Sequence, residues 1–89
     1  MAKIQIKALG ENRYEVNVDA RSPTTHIVTA PEAYAARLTN GALSTEALIE
    51  KSFEFLLERE PNTSILRSFE LSVIGHYFPE YERTIKTYF

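Results

Sequence analysis

Two histidines are the side chains of this chain best placed to exchange protons near neutral pH, and neither has a complete set of partners. His26 sits in the run Thr24-Thr25-His26-Ile27-Val28-Thr29. A metal or general-base site on a strand needs a second ligand two residues away, on the same face, and none is there. The expected His26 is a partly exposed strand histidine. His76 has Glu80 four residues on, a spacing at which a carboxylate orients an imidazole across one helical turn. Pro79 interrupts that turn. The pair is half a constellation, and His76 is expected at a surface or helix end.

Glu54 and Glu58 are carboxylates at i and i+4. Such pairs run acid–base chemistry when burial separates their pKa values. Here they share a polar stripe with Glu50 and Lys51, so a solvated face is expected. Arg59 projects toward Phe55, and Arg67 stands among apolar neighbours. Internal bridges to Glu60, Glu70 or a helix C-terminus are expected of both, with an anion or partner contact as the functional alternative. The segment Tyr77-Phe78-Pro79-Glu80-Tyr81 is either a core corner or an interaction patch, since aromatic residues dominate hot spots. Phe78 is expected inside. The terminal Tyr88-Phe89 must dock on the body or meet a partner. The candidate interaction surface is therefore Arg59, Arg67, His76, Tyr77, Tyr81 and Tyr88.

Composition removes whole classes of activity. With no cysteine, disulfides, thiolate catalysis and cysteine zinc sites are excluded together. Gly10, Gly41 and Gly75 are the only glycines, so no glycine-rich phosphate loop is present. No cofactor is expected. The net charge of −2 gives no general pull toward nucleic acid or anionic lipid. No stretch approaches the roughly 20 apolar residues of a membrane span. Met1-Ala2-Lys3 leads into alternating residues rather than an apolar leader. The cytoplasm is the expected compartment.

The elements that must position these residues follow from periodicity. Lys3–Ala8 and Arg13–Val18 alternate polar and apolar, the pattern of half-buried strands. Gly10-Glu11-Asn12 is the hairpin loop between them. Ile4, Ile6, Tyr14, Val16 and Val18 are expected to face the core. Lys3, Gln5, Lys7, Arg13, Glu15 and Asn17 are expected to face water. That face is partly basic but lacks the interleaved aromatic residues of an RNA reader, so nucleic acid is not an expected partner. Thr24–Thr29 is a third strand.

Pro31 and Glu32 start a helix that ends at Asn40-Gly41. Ser44 or Thr45 caps the central helix, in which Leu48, Ile49, Ser52, Phe53, Phe55, Leu56 and Leu57 span an arc of roughly 200°. Pro61 stops it. Eight of the ten aromatic residues fall after Ser44. Thr63 or Ser64 is expected to cap a helical turn through Ile65, Leu66 and Phe69. Ser72 is expected to cap another through Val73, Ile74, Tyr77 and Phe78. Pro79 starts the last helix, with Glu82 four residues before Lys86 for an ion pair.

Phe53-Glu54-Phe55-Leu56-Leu57-Glu58-Arg59-Glu60-Pro61, Ser64-Ile65-Leu66-Arg67-Ser68-Phe69-Glu70-Leu71-Ser72-Val73-Ile74 and Tyr77-Phe78-Pro79-Glu80-Tyr81-Glu82 form a block. It resembles a family of small uncharacterised prokaryotic proteins. The likeness covers residues 44–82 well and Thr25–Pro31 loosely. It implies no activity, cofactor or binding residue.

Strands followed by helices point to an α+β domain of 1–89. Residues 1–30 form an antiparallel three-stranded meander, and residues 31–89 form three to four helices packed on one face. The preferred function is a small non-enzymatic protein-interaction or regulatory module, with a protein partner or a homodimer. An antitoxin-like role is one form of it, by analogy of fold alone. The alternative is a small enzyme or ligand binder using His76 or His26. A nucleic-acid binder comes third.

Overall fold

The alternation in the first thirty residues produces an antiparallel meander of β1 (Lys3–Gly10), β2 (Arg13–Asp19) and β3 (Thr24–Thr29). The computed structural model describes residues 3–89; Met1 and Ala2, on which the absence of a leader was read, lie outside the described residues. Ile6, Val16 and His26 lie side by side across the sheet, as do Ile4, Val18 and Thr24. Val16, Val18 and Val28 are fully buried, Ile4, Ile6 and Tyr14 are half-buried, and Lys3, Gln5, Lys7 and Arg13 are exposed. On the wet face Asn17 donates to Glu15 at 3.1 Å and accepts from Thr25 at 2.8 Å. Glu11 and Asn12 both have positive φ, 54° and 63°, in a two-residue hairpin loop whose twist suits the flanking strands. Leu9 is an extra residue opposite Tyr14, a bulge that leaves it exposed.

α1 (Glu32–Thr39) ends where Asn40 turns left-handed at φ 54° and its N–H donates to the Ala36 carbonyl. α2 (Thr45–Leu57) begins at Ser44, whose hydroxyl accepts from the Ala47 N–H at 3.1 Å. Leu48, Ile49, Ser52, Phe53, Phe55 and Leu56 are all buried, and Leu57, the last member of the expected arc, is half-buried against the core. α2 packs on β1, on α1 and on the C-terminal segment at once.

Residues 62–70 depart from the expected helical turn. After a 3₁₀ turn at Asn62–Ser64 the chain extends and forms β4 (Ser68–Glu70), parallel to β3. Val28 lies opposite Phe69, and the Ile27 N–H donates to the Arg67 carbonyl at 2.7 Å. The meander therefore gains a fourth strand, in the order β1-β2-β3-β4, and becomes a mixed sheet. A parallel pair needs a long crossover, which α1 and α2 supply. Phe69 gains the Phe53 ring at 6.1 Å by leaving the helix, and that tertiary contact outweighs local propensity.

The C-terminal helices are single turns. A 3₁₀ turn at Leu71–Val73 runs into α3 (Ile74–Tyr77), and α4 (Tyr81–Thr84) tightens into a 3₁₀ turn at Ile85–Tyr88. Ser72 caps nothing; its hydroxyl donates to Glu70 at 3.0 Å. Glu82 does not pair with Lys86, because three residues per turn rotate position i+4 off the shared face. It accepts from the Tyr34 hydroxyl at 2.9 Å and faces Arg37 at 3.6 Å instead. No helix among the described residues is long and apolar enough to cross a membrane.

Phe53 is fully buried between His26 and Phe69. Phe53→Ala is expected to cost about 3–5 kcal/mol of unfolding free energy in urea titration. A loss under about 1 kcal/mol would show that α2 does not pack as described.

Candidate functional site

His26 is not partly exposed; it is fully buried, with both ring nitrogens engaged. The strand parity that turns Val28 inward turns His26 inward too. Nδ1 lies 2.7 Å from the Leu66 carbonyl, which only accepts, so Nδ1 carries the proton. Nε2 lies 2.8 Å from the Thr24 hydroxyl and must therefore accept from it. Asn62 donates from its amide to both Thr24 Oγ1 and the Ser22 carbonyl, each at 2.8 Å. The donor directions agree all the way along, so one tautomer of a neutral imidazole satisfies every group. Burial pulls the His26 pKa below its ordinary value; the Leu66 carbonyl opposes this, and the charge of Arg67 adds to it. This histidine holds residues 62–67 against β3 and has no lone pair left for a substrate or a metal.

His76 is exposed beside a broad polar depression of about 530 Å³ that also takes in Tyr34, Arg37, Glu70 and Glu82. Its two acids make their hydrogen bonds to other residues and not to His76: Glu70 accepts from Ser72, and Glu82 accepts from Tyr34. No group of three or more His, Asp or Glu side chains that could hold a metal occurs among the described residues.

Three of the six expected surface residues are spent on structure. Tyr81 is fully buried, a correction to its place on the surface. Ser52 donates to the Leu48 carbonyl at 2.8 Å, so the Tyr81 hydroxyl must donate to Ser52 at 2.6 Å. Burial pushes the Tyr81 pKa up to about 12. Arg59 lies flat over the Phe55 ring, 3.6 Å from its centroid. It donates to the Phe55 carbonyl at 3.1 Å and to Glu80 at 3.3 Å, and faces Glu58 at 3.8 Å. Its expected contact with a helix C-terminus is made at the Phe55 carbonyl in the last turn of α2, and its carboxylate partners are Glu80 and Glu58 rather than Glu60 or Glu70. Tyr88 donates to Glu58 at 2.6 Å and sets its ring edge-on to Phe55. The tail containing Tyr88 is docked on α2.

What remains is an apolar cleft of about 260 Å³ between the end of α2, the 62–70 segment and α3. Leu56, Ile65 and Ile74 are its buried members, Phe69 of β4 forms one wall, and Val73 and Phe78 stand with Ile74 on another. Leu66 and Tyr77 stand at its mouth, 47% and 67% exposed. Glu60 is its one charged member. Neither Glu60 nor Arg67 takes part in any ion pair among the described residues. Of the expected surface set, Tyr77 alone lines the cleft; Arg67 is exposed and does not line it. Leu66 and Phe69 were missed as site residues because they were assigned to a helical core. The signal for β4 was the alternation Ser68-Phe69-Glu70-Leu71.

Compared with protein-family models, curated proteins and solved structures, the chain matches none of them.

The His26 geometry has a pH consequence. With its folded pKa lowered, the unfolded chain binds the extra proton first, so stability is lost as pH falls through the ordinary value of 6.5 toward the folded one. An NMR titration is expected to show the His26 ring as the Nδ1–H tautomer, protonating below 6.5. A ring that titrates at or above 6.5 would contradict the clamp.

Proposed function

We propose that this chain is a non-enzymatic protein-interaction module whose cleft takes a bulky apolar side chain of a protein partner. We also propose that it belongs with the small prokaryotic proteins its Phe53–Glu82 block resembles and acts in the cytoplasm. The observation that carries the interaction reading is the open apolar cleft with Leu66 and Tyr77 exposed at its mouth. Large side chains left in water beside a formed cavity are the usual mark of a partner site.

Size separates the two kinds of occupant. The cleft holds about 260 Å³, under the roughly 300–1,000 Å³ of sites for drug-sized ligands. It suits one anchoring side chain, with Tyr77 as an aromatic contact beside it. The enzyme reading has less support. His26 is consumed by its clamp, and the two acids that share the depression with His76 hydrogen-bond to other residues.

Titration of ¹⁵N-labelled protein with N-acetylphenylalanine amide is expected to shift the amides of Leu66, Phe69 and Tyr77 and to leave Lys3–Lys7 unmoved. Tyr77→Ala should weaken that binding severalfold while changing stability by no more than about 0.5 kcal/mol, as expected of an exposed position. Shifts clustered on the wet face of the sheet would overturn the assignment.

A further inference from the structure

We infer that His26 is a proton-operated latch: when its ring takes a second proton, residues 62–70 come off β3 and the cleft comes apart, while the meander, α2 and the C-terminal segment stay folded. The latch stands on the clamp geometry alone. Its use, to govern docking, rests on the reading of the cleft as a docking site.

The clamp runs in one direction. A second proton must go to Nε2, since Nδ1 already donates to the Leu66 carbonyl at 2.7 Å. Nε2 accepts from the Thr24 hydroxyl at 2.8 Å, so that hydroxyl would have to turn its hydrogen away. Thr24 Oγ1 also accepts from Asn62, so it would face two donors while its own hydrogen lost its acceptor. Nothing packed on the ring offsets the new charge. β2 sets Val16 beside it, β1 follows with Ile6, and α2 contributes the Phe53 ring at 5.4 Å. No carboxylate lies within ion-pair reach of His26 among the described residues. The charged side chain that acts on the ring is Arg67, which is of like sign and belongs to the segment to be released. A buried charge without a partner favours the state that admits water. With the latched pKa below 6.5, the released state takes the proton first, so release grows as pH falls through that value.

The release is local because one stretch of chain carries both holds on the ring. Leu66 binds Nδ1 directly, and Asn62 backs Thr24. β4 adds only three residues of edge pairing. Ile65 is the one buried apolar residue of 62–70, and Phe69 is half-buried. The flanks are held by other means. α2 packs on β1 and α1. The C-terminal segment is tied to α2 by the Phe55–Tyr81 ring contact, the Tyr81–Ser52 hydrogen bond and the Arg59–Glu80 bridge. None of these contacts involves residues 62–70, and parts of a fold held by separate contacts open separately. Ile65, Leu66 and Phe69 line the cleft and leave with the segment.

Hydrogen exchange of the full chain, followed by NMR from about pH 7.5 to about pH 4.5, tests this. The Ile27 N–H donates to the Arg67 carbonyl at 2.7 Å, so its protection reports whether the segment is seated. Taken relative to the intrinsic rate at each pH, that protection should fall at least about tenfold as the His26 ring titrates, while the amides of β2 and α2 keep theirs. His26→Gln, which cannot take the charge, should abolish the response; His76→Gln should not. Three results overturn the inference: an Ile27 amide that stays protected while the His26 ring titrates, a loss shared equally by β2 and α2, or an acid response that survives His26→Gln. The first two are read from wild type, so they decide the matter even if His26→Gln does not fold. N-acetylphenylalanine amide titrated at both ends of the pH range separates the two readings. An Ile27 amide that opens with acid in a protein that never binds the probe would sink the docking site and leave the latch standing. A probe bound equally at both ends, with Ile27 protected throughout, would do the reverse.

Discussion

A neutral imidazole with both nitrogens in use joins the two halves of this protein. His26 lies in the middle of the third strand and donates to the Leu66 carbonyl, forty residues further along. Through Thr24 it is continuous with Asn62, which binds the Ser22 carbonyl as well. No buried side-chain nitrogen or oxygen is left without a partner among the described residues. Burying so many polar groups is tolerable only because each is satisfied, since an unmet one would cost about 1–3 kcal/mol. The parallel strand β4, the packing of Phe69 on Phe53 and the walls of the cleft all depend on where that clamp sets residues 62–67.

A second anchor works on the other side of α2. The Phe55 ring is fully buried, with Phe78, Tyr81 and Tyr88 edge-on to it and the Arg59 guanidinium over its face. Aromatic edges carry partial positive charge and faces partial negative charge, so these contacts are mutually consistent. They explain why two helices of four residues each hold their place without helical length to support them. The C-terminal segment is a packed coat on α2.

The parts of the fold legible in the sequence are those fixed by neighbours in the chain. The first hairpin, the Ser44 cap, the Asn40-Gly41 stop and the Pro61 break each depend on a few consecutive residues. The parallel pairing of β4 depends on Val28, far away, and the brief alternation Ser68-Phe69-Glu70-Leu71 carries no sign of that partner. His26 was misplaced for a related reason. Its parity with Val28 was visible, but the donors that make a buried imidazole tolerable sit on Asn62 and at the Leu66 carbonyl. The aromatic excess falls in the part of the chain that forms the cleft. It did not distinguish Tyr81, whose hydroxyl finds Ser52, from Tyr77, whose hydroxyl finds no partner among the described residues. The cleft itself is a product of the 62–70 backbone and has no local signature.

The parallel edge strand also sets the order in which the molecule can assemble. β1, β2 and β3 pair with neighbours in the chain, so the meander can take shape before the rest has emerged. β4 cannot, because its partner strand is complete long before Ser68 emerges. Closing a loop of this length costs only about 0.6 kcal/mol more than closing one half as long, but such non-local pairings form slowly. Until they do, β3 has a bare edge and His26 lacks its acceptor. The nascent chain thus passes through an interval in which its third strand is open to the wrong neighbour, and Asn62–Glu70 is the segment that ends it.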